Sequence, residues 1–162
     1  MIGTPIIAGP TRVQRDRIEE MGRQGGFVAS HDGYARLFGI YHERRLVLSH
    51  NGSVIQGADR FYRGDGRPLK SNGRDNIAVR FHLHPSVDIS FDENGLIVLS
   101  ADRDDTWVFS CFEVAPQLED SIFFAGFRGP PVTSKQIVLS FPASELPEVN
   151  WQFSRVALGS YV

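Results

Sequence analysis

Hydrophobic and polar residues alternate strictly over residues 77–85, which read IAVRFHLHP. A period of two is typical of a strand with one buried face. The apolar side carries Ile77, Val79, Phe81 and Leu83, and the polar side carries Ala78, Arg80, His82 and His84. The two histidines share a face and lie roughly 7 Å apart along the strand, so both could reach one ion, one sugar or one carboxylate.

Similar hydrophobic runs recur along the chain, and turn residues interrupt them about every eight to twelve positions. Asn51-Gly52 and the segment DENG at 92–95 predict two β-hairpins. Residues 11–22 fit a polar edge strand or a short helix, and the edge strand is favoured because charged residues there discourage unwanted strand pairing. The predicted strands are 27–30, 37–48, 54–55, 77–85, 87–91, 96–101, 106–113, 121–125, 136–141 and 151–156. This pattern predicts an all-β fold, an antiparallel β-sandwich of about ten strands.

Length and charge narrow the function classes. The 162 residues fit a single domain spanning 1–162, and the net charge of -2 comes from 17 basic residues scattered among 19 acidic ones. Without a basic stripe, nucleic-acid binding is not expected. No apolar run approaches the ~20 residues that cross a bilayer, and the N-terminus lacks a secretory signal. We therefore expect a soluble chain, cytoplasmic as it stands and periplasmic if it is a fragment of an exported protein.

Several short motifs, in a fixed order, resemble one protein family. They are SHDGY at 30–34, FGIYHERR at 38–45, GADR at 57–60, RFHLHP at 80–85, QIVL at 136–139, and Trp151. In order and spacing they resemble the C-terminal β-sandwich of heparinase II/III-like proteins. The resemblance extends through nearly the whole chain.

The resemblance implies a two-part polysaccharide lyase, in which an N-terminal α/α toroid packs against the sandwich and an acidic, uronate-containing polysaccharide lies between them. The family chemistry is β-elimination, which needs charge neutralisation, a base and an acid in one water-poor cleft. The family's catalytic asparagine, tyrosine and histidine match no residue of this chain. We therefore expect no catalytic residue here and no activity without the toroid, and whether the chain itself is an enzyme stays open.

The resemblance also implies a zinc site. Family members hold a structural zinc with His, Asp and a second His, and His84 aligns with that last ligand. A complete site would recruit His82 and a third group, because zinc takes at least three protein ligands. The third group would be one of Asp32, Asp59, His31 and His42. The alternative is that His82 and His84 are ordinary polar-face residues, hydrogen-bonded to neighbours such as Glu43 or Asp59.

Three arginines are candidates for binding a uronate carboxylate: Arg80, Arg44 and Arg45. A guanidinium matches a carboxylate in shape and charge. The alternative is that these arginines pair with acidic residues on neighbouring strands.

Two other functions remain open for a sandwich without its toroid. One is a non-catalytic carbohydrate-binding module, which predicts an exposed aromatic strip or an Arg/His groove. The other is an interaction module that forms a homo-oligomer through its toroid-facing sheet, which predicts an exposed apolar patch there.

Overall fold

The computed structural model describes residues 9–20, 24–71, 73, 75–102, 105–124 and 129–156. Across these residues the chain forms eleven strands and one short helix. In chain order they are β1 (Val13–Glu20), β2 (Gln24–His31), α1 (Ala35–Phe38), β3 (Tyr41–Leu48), β4 (Val54–Tyr62), β5 (Asn76–His82), β6 (Asp88–Phe91), β7 (Ile97–Asp102), β8 (Asp105–Ser110), β9 (Gln117–Phe123), β10 (Val132–Pro142) and β11 (Glu148–Arg155).

The strands form two antiparallel sheets that pack face to face. The large sheet has the order β1-β2-β3-β4-β11-β8-β7-β6, and the small sheet has the order β5-β10-β9. The predicted all-β antiparallel sandwich is therefore confirmed. Because the small sheet has three strands and the large sheet has eight, it covers only part of the large sheet's inner face.

The ambiguous N-terminal segment is the edge strand β1, which pairs only with β2 among the described residues. One prediction was wrong: residues 37–48 do not form a single strand. One helical turn, α1, precedes β3 and ends at Gly39, whose φ of 71° suits glycine. No described helix is long and apolar enough to cross a membrane.

The β3–β4 hairpin sets the register on which the site depends. Gly52 has a φ of 69°, so Asn51-Gly52 reverses the chain as its composition predicts. Counting outward from this turn places Arg44 opposite Asp59 and His42 opposite Phe61. These four side chains point toward the small sheet.

The core lies between the two sheets. Phe109, Ile137, Leu139 and Val149 are fully buried there. On β5 the predicted alternation is confirmed, since the apolar side chains of 77–83 pack on this core whereas Arg80, His82 and His84 are exposed. The ring of Phe81 lies 4.7 Å from that of Trp151, in edge-to-face contact.

Gly57 on β4 provides the space for Trp151. A Cβ atom at position 57 would overlap the six-membered ring of the indole. We expect Gly57→Ala to lower the free energy of unfolding by about 2–3 kcal/mol, the upper range for overpacking a core, as measured by urea unfolding. Gly25→Ala is the matched strand control, because nothing lies within 4 Å of its Cβ position. Equal stability of the two variants would contradict this packing.

Candidate functional site

A cavity of about 450 Å³ opens where β5, the edge of the small sheet, faces the large sheet. Its floor is the inner face of β3 and β4, and α1 with the residues beside it forms one wall. The polar residues lining it are Tyr34, His42, Arg44, Asp59, Asn76 and Arg80. We call it the Asp59 cavity.

Asp59 is the central group of this floor, and it is fully buried. Its Oδ1 accepts hydrogen bonds from His42 Nε2 at 2.6 Å and Arg44 Nε at 2.8 Å. Its Oδ2 accepts from Arg44 Nη2 at 3.0 Å and Trp151 Nε1 at 2.8 Å. Each carboxylate oxygen thus has two donors, which satisfies a buried carboxylate.

The balance of these contacts keeps Asp59 ionised. Burial opposes the charge, but the hydrogen bonds from His42, Arg44 and Trp151 and the charge of Arg44 outweigh it, so the pKa of Asp59 lies below its ordinary value. Arg44 neutralises the carboxylate. The Arg44 guanidinium also lies 5.7 Å and 5.6 Å from the ring centres of Phe81 and Trp151, a cation–π arrangement that holds it in place.

Two histidines, His42 and His31, extend this network from Asp59 to the end of β2. The backbone N–H of Gly33 donates to His31 Nδ1 at 3.1 Å, so the proton of His31 is on Nε2. That Nε2 lies 3.2 Å from His42 Nδ1, which must accept, so the proton of His42 is on Nε2 and is donated to Asp59. The contacts therefore assign the Nε2–H tautomer to both neutral imidazoles.

His31 is the last residue of β2, and the residues that follow it are held by hydrogen bonds. Asp32 accepts hydrogen bonds from the backbone of Thr11 and Arg12, next to β1. Gly33 is close to the imidazole, since a Cβ there would lie 3.1 Å from His31 Nδ1. Burial, and then the neighbouring His42, lower the pKa of His31.

This arrangement is suited to binding rather than to proton abstraction. All four ring nitrogens of His31 and His42 are engaged within the network. A general base needs a free lone pair within reach of its proton, and neither imidazole offers one in this geometry. The cavity instead offers a rigid floor with hydrogen-bonding and cationic groups.

The three predicted arginines occupy different places. Arg44 lies in the floor of the Asp59 cavity. Arg80 belongs to the β5 edge of the cavity, but its side chain shares the outer face of the small sheet with His82 and His84, and its Nη1 donates to Glu119 Oε2 on β9 at 2.7 Å. Arg45 projects to the opposite face of the large sheet. The structure thus places the Arg44 guanidinium in the cavity, the Arg80 backbone at its β5 edge, and Arg45 on the opposite face of the large sheet.

His82 and His84 lie on the exposed outer face of the small sheet. His82 Nδ1 lies 2.9 Å from Ser121 Oγ, and His84 Nδ1 lies 2.7 Å from Ser86 Oγ. The ring of His84 also contacts that of Phe123 at 4.7 Å. These partners differ from the predicted Glu43 and Asp59.

The residues around His84 do not fit a zinc ion. Asp59, His31 and His42 lie on the large sheet and bond one another, away from the small-sheet face that carries His82 and His84. In the part of the chain that the structure describes, no three His, Cys, Asp or Glu side chains are grouped so as to hold a metal ion. The zinc site stays a prediction.

The network was not predicted as a unit from the sequence, although the sequence contains a signal for it. His42 and Arg44 are two residues apart on one strand and so share a face. Counting outward from Asn51-Gly52 pairs Arg44 with Asp59. The contribution of Trp151 had no such signal, because β11 joins β4 from the far end of the chain.

Comparisons with known proteins agree on the fold. The family model "Heparinase II/III-like, C-terminal" matches residues 7–152. The structure named heparinase III-BT4657 gene product is similar over 90% of this chain, with 12% identity and a TM-score of 0.65. A crystal structure of heparinase III is similar over 88%, with 11% identity and a TM-score of 0.62. No curated protein matches.

The coverage of those two structures is partial. This chain accounts for 22% of the first and 21% of the second. It therefore spans about one fifth of the heparinase III chains that it matches.

Removing the charge of Asp59 should destabilise the sandwich. Asp59→Asn leaves Arg44 without its partner in a half-buried position, and breaking a buried pair costs about 3 kcal/mol or more. We expect Asp59→Asn to lower the free energy of unfolding by this amount, as measured by urea unfolding. Asp65→Asn is the control, since it breaks an exposed pair with Arg63. Similar losses in both variants would contradict a central role for Asp59.

The histidine chain should make stability depend on pH between 7.5 and 5.5. Because the pKa of His31 is lowered in the fold, the unfolded chain binds more protons as pH falls through about 6.5, the ordinary value. Stability should therefore fall across this range, and His31→Gln should flatten the slope. Thermal unfolding at several pH values measures this dependence of stability on pH. The control is His50→Gln, in the exposed β3–β4 turn, which should leave the slope unchanged. If the control flattens the slope and His31→Gln does not, the pH dependence does not come from His31.

Proposed function

The chain belongs to the heparinase II/III-like C-terminal family, and from that membership we propose that it is the β-sandwich part of a polysaccharide lyase. The substrate is an acidic, uronate-containing polysaccharide, and the reaction is β-elimination. The chain spans only a fifth of the heparinase III structures, so a further domain, the toroid, completes the enzyme.

The observation that carries this proposal is the hydrogen-bonding state of the Asp59 cavity. β-Elimination requires a base that takes the proton beside the sugar carboxylate and an acid that protonates the leaving oxygen. His42 lines the cavity, and both His42 and the neighbouring His31 are engaged in a chain of hydrogen bonds that ends at Asp59. This supports a division of labour in which the sandwich binds and positions the sugar and the toroid supplies the proton-transfer groups.

The cationic groups of the cavity support an acidic ligand. Asp59 holds Arg44 by Nε and Nη2, which leaves Nη1 outside that pair. Arg80 stands at the β5 edge of the cavity, and its side chain lies on the outer face of the small sheet, where it pairs with Glu119; both are about equally exposed. Arg80 would have to leave this pair to reach a ligand in the cavity. An exposed pair of this kind is weak, so a sugar carboxylate or sulfate can compete for Arg80.

The uncovered part of the large sheet supports a docked toroid. Val13, Phe27 and Leu48 are exposed, and their register places them on the same inner face as His31. The small sheet does not reach this area. In our proposal the toroid covers these side chains, and the polysaccharide lies at its boundary with the Asp59 cavity.

Binding of a heparin oligosaccharide tests the proposal. Arg80→Gln should raise its Kd about tenfold, because one charge-assisted contact contributes about 1.5 kcal/mol. Isothermal titration calorimetry measures the Kd. Arg155→Gln is the matched control, since Arg155 is also half-exposed and paired with an acid, Asp105, but does not line the cavity.

The same samples should form no unsaturated product, detected by ultraviolet absorbance, since both imidazoles are engaged in the chain of hydrogen bonds to Asp59. Equal effects of the two arginine substitutions would show that binding is not specific to the cavity. Product formation by this chain alone would contradict the proposal that the toroid supplies the proton-transfer groups.

A further inference from the structure

A second cavity, of about 320 Å³, lies on the opposite face of the large sheet. It spans β3, β4, β11 and the end of β8, and apart from Trp151, whose indole points inward, its lining side chains on these strands point away from the small sheet. We call it the outer-face cavity. It shares no exposed side chain with the Asp59 cavity, because side chains of alternate parity face opposite sides of a sheet.

The register of the strands explains the shape of the outer-face cavity. One row across the sheet holds Val47, Gln56, Gln152 and Ser110. The next row holds Arg45, Ala58 and Asn150. Strand β8 contributes no residue to this row, because it ends at Ser110. The small side chain of Ala58 leaves a depression among longer polar ones.

Three planar amides line this depression, and they are positioned by hydrogen bonds. Gln56 Nε2 donates to Gln152 Oε1 at 3.1 Å, and Gln152 Nε2 donates to Ser154 Oγ at 2.5 Å. Asn150 Nδ2 donates to Glu113 Oε1 at 3.0 Å. Each amide carries two N–H groups and an oxygen with two lone pairs, so capacity remains for the hydroxyl groups of a ligand.

Glu113 adds an ionised acceptor at one end of the cavity. Partial burial opposes its charge, but the hydrogen bonds from Asn150 outweigh this and hold the pKa of the Glu113 carboxyl below its ordinary value. Arg45 lines the other end. With one cation and one anion, the lining favours neither sign of ligand charge.

Phe112 stands at the rim, and 95% of its surface is exposed. An aromatic ring next to a concave polar site can pack its face on the apolar C–H face of a sugar ring, while the hydroxyl groups at the ring edge reach the amides. Ligand sites combine apolar surface with a few convergent polar groups in this way.

We propose that the outer-face cavity binds an uncharged, hydroxyl-rich saccharide unit, with Phe112 under the ring and Gln56, Gln152 and Asn150 bonded to its hydroxyls. This site is separate from the Asp59 cavity and does not require lyase chemistry. The chain then contacts carbohydrate through both faces of its large sheet.

Side-chain amide NMR signals test the site directly. The ¹⁵N-labelled chain is titrated with neutral tetrasaccharides of N-acetylglucosamine, glucose, galactose and mannose. At least one should shift the side-chain amide signals of Gln56, Asn150 and Gln152 with one common Kd. Phe112→Ser should raise that Kd at least tenfold, and Phe124→Ser, which removes a similarly exposed ring from the small-sheet side, should not change it.

The two carbohydrate sites can be separated with the variants already described. Phe112→Ser should leave heparin binding unchanged, and Arg80→Gln should leave the neutral-sugar Kd unchanged. If none of the four tetrasaccharides shifts the three amides, or if Phe112→Ser leaves their Kd unaltered, the outer-face site is refuted while the heparin experiment still decides the proposed function.

Discussion

A buried carboxylate, Asp59, is the group on which the arrangement of this sandwich depends. Burial of a charge is costly unless every oxygen is hydrogen-bonded, and Asp59 meets that requirement through His42, Arg44 and Trp151. These donors come from β3 and β11, the two strands that flank β4. The carboxylate thereby fixes three adjacent strands of the large sheet. Through His42 and His31 it also fixes the end of β2, where the backbone of Gly33 donates to His31.

The same network determines what the domain can do chemically. The chain of hydrogen bonds that runs from Gly33 through both imidazoles to Asp59 orders these side chains and leaves neither imidazole available as a base. Order of this kind suits a surface that positions a polymer for groups supplied by another domain. The alternation along each strand then gives the large sheet two chemically different faces: Arg44 and Asp59 face inward, whereas Arg45 and Ala58 face outward.

Local pattern was enough to predict much of the fold. The alternation over 77–85 predicted β5 and its buried face, and Asn51-Gly52 predicted the hairpin that sets Arg44 against Asp59. The turn of α1 was missed because four residues are too few to show helical periodicity. The Trp151 contact was also missed. Strands β4 and β11 are far apart in the sequence, and no local pattern indicates that they pair. Family resemblance directed attention to His84, whereas the dense polar network surrounds His42.

Direct observation of the histidine tautomers tests the account most sharply. Two-bond ¹H–¹⁵N NMR correlations near pH 7.5 distinguish Nε2–H, Nδ1–H and doubly protonated imidazoles. The hydrogen-bond geometry predicts neutral Nε2–H tautomers for both His31 and His42, each with one protonated and one accepting nitrogen. An Nδ1–H tautomer or an imidazolium at either position would contradict the ordered chain to Asp59, and with it the claim that neither imidazole is a free base.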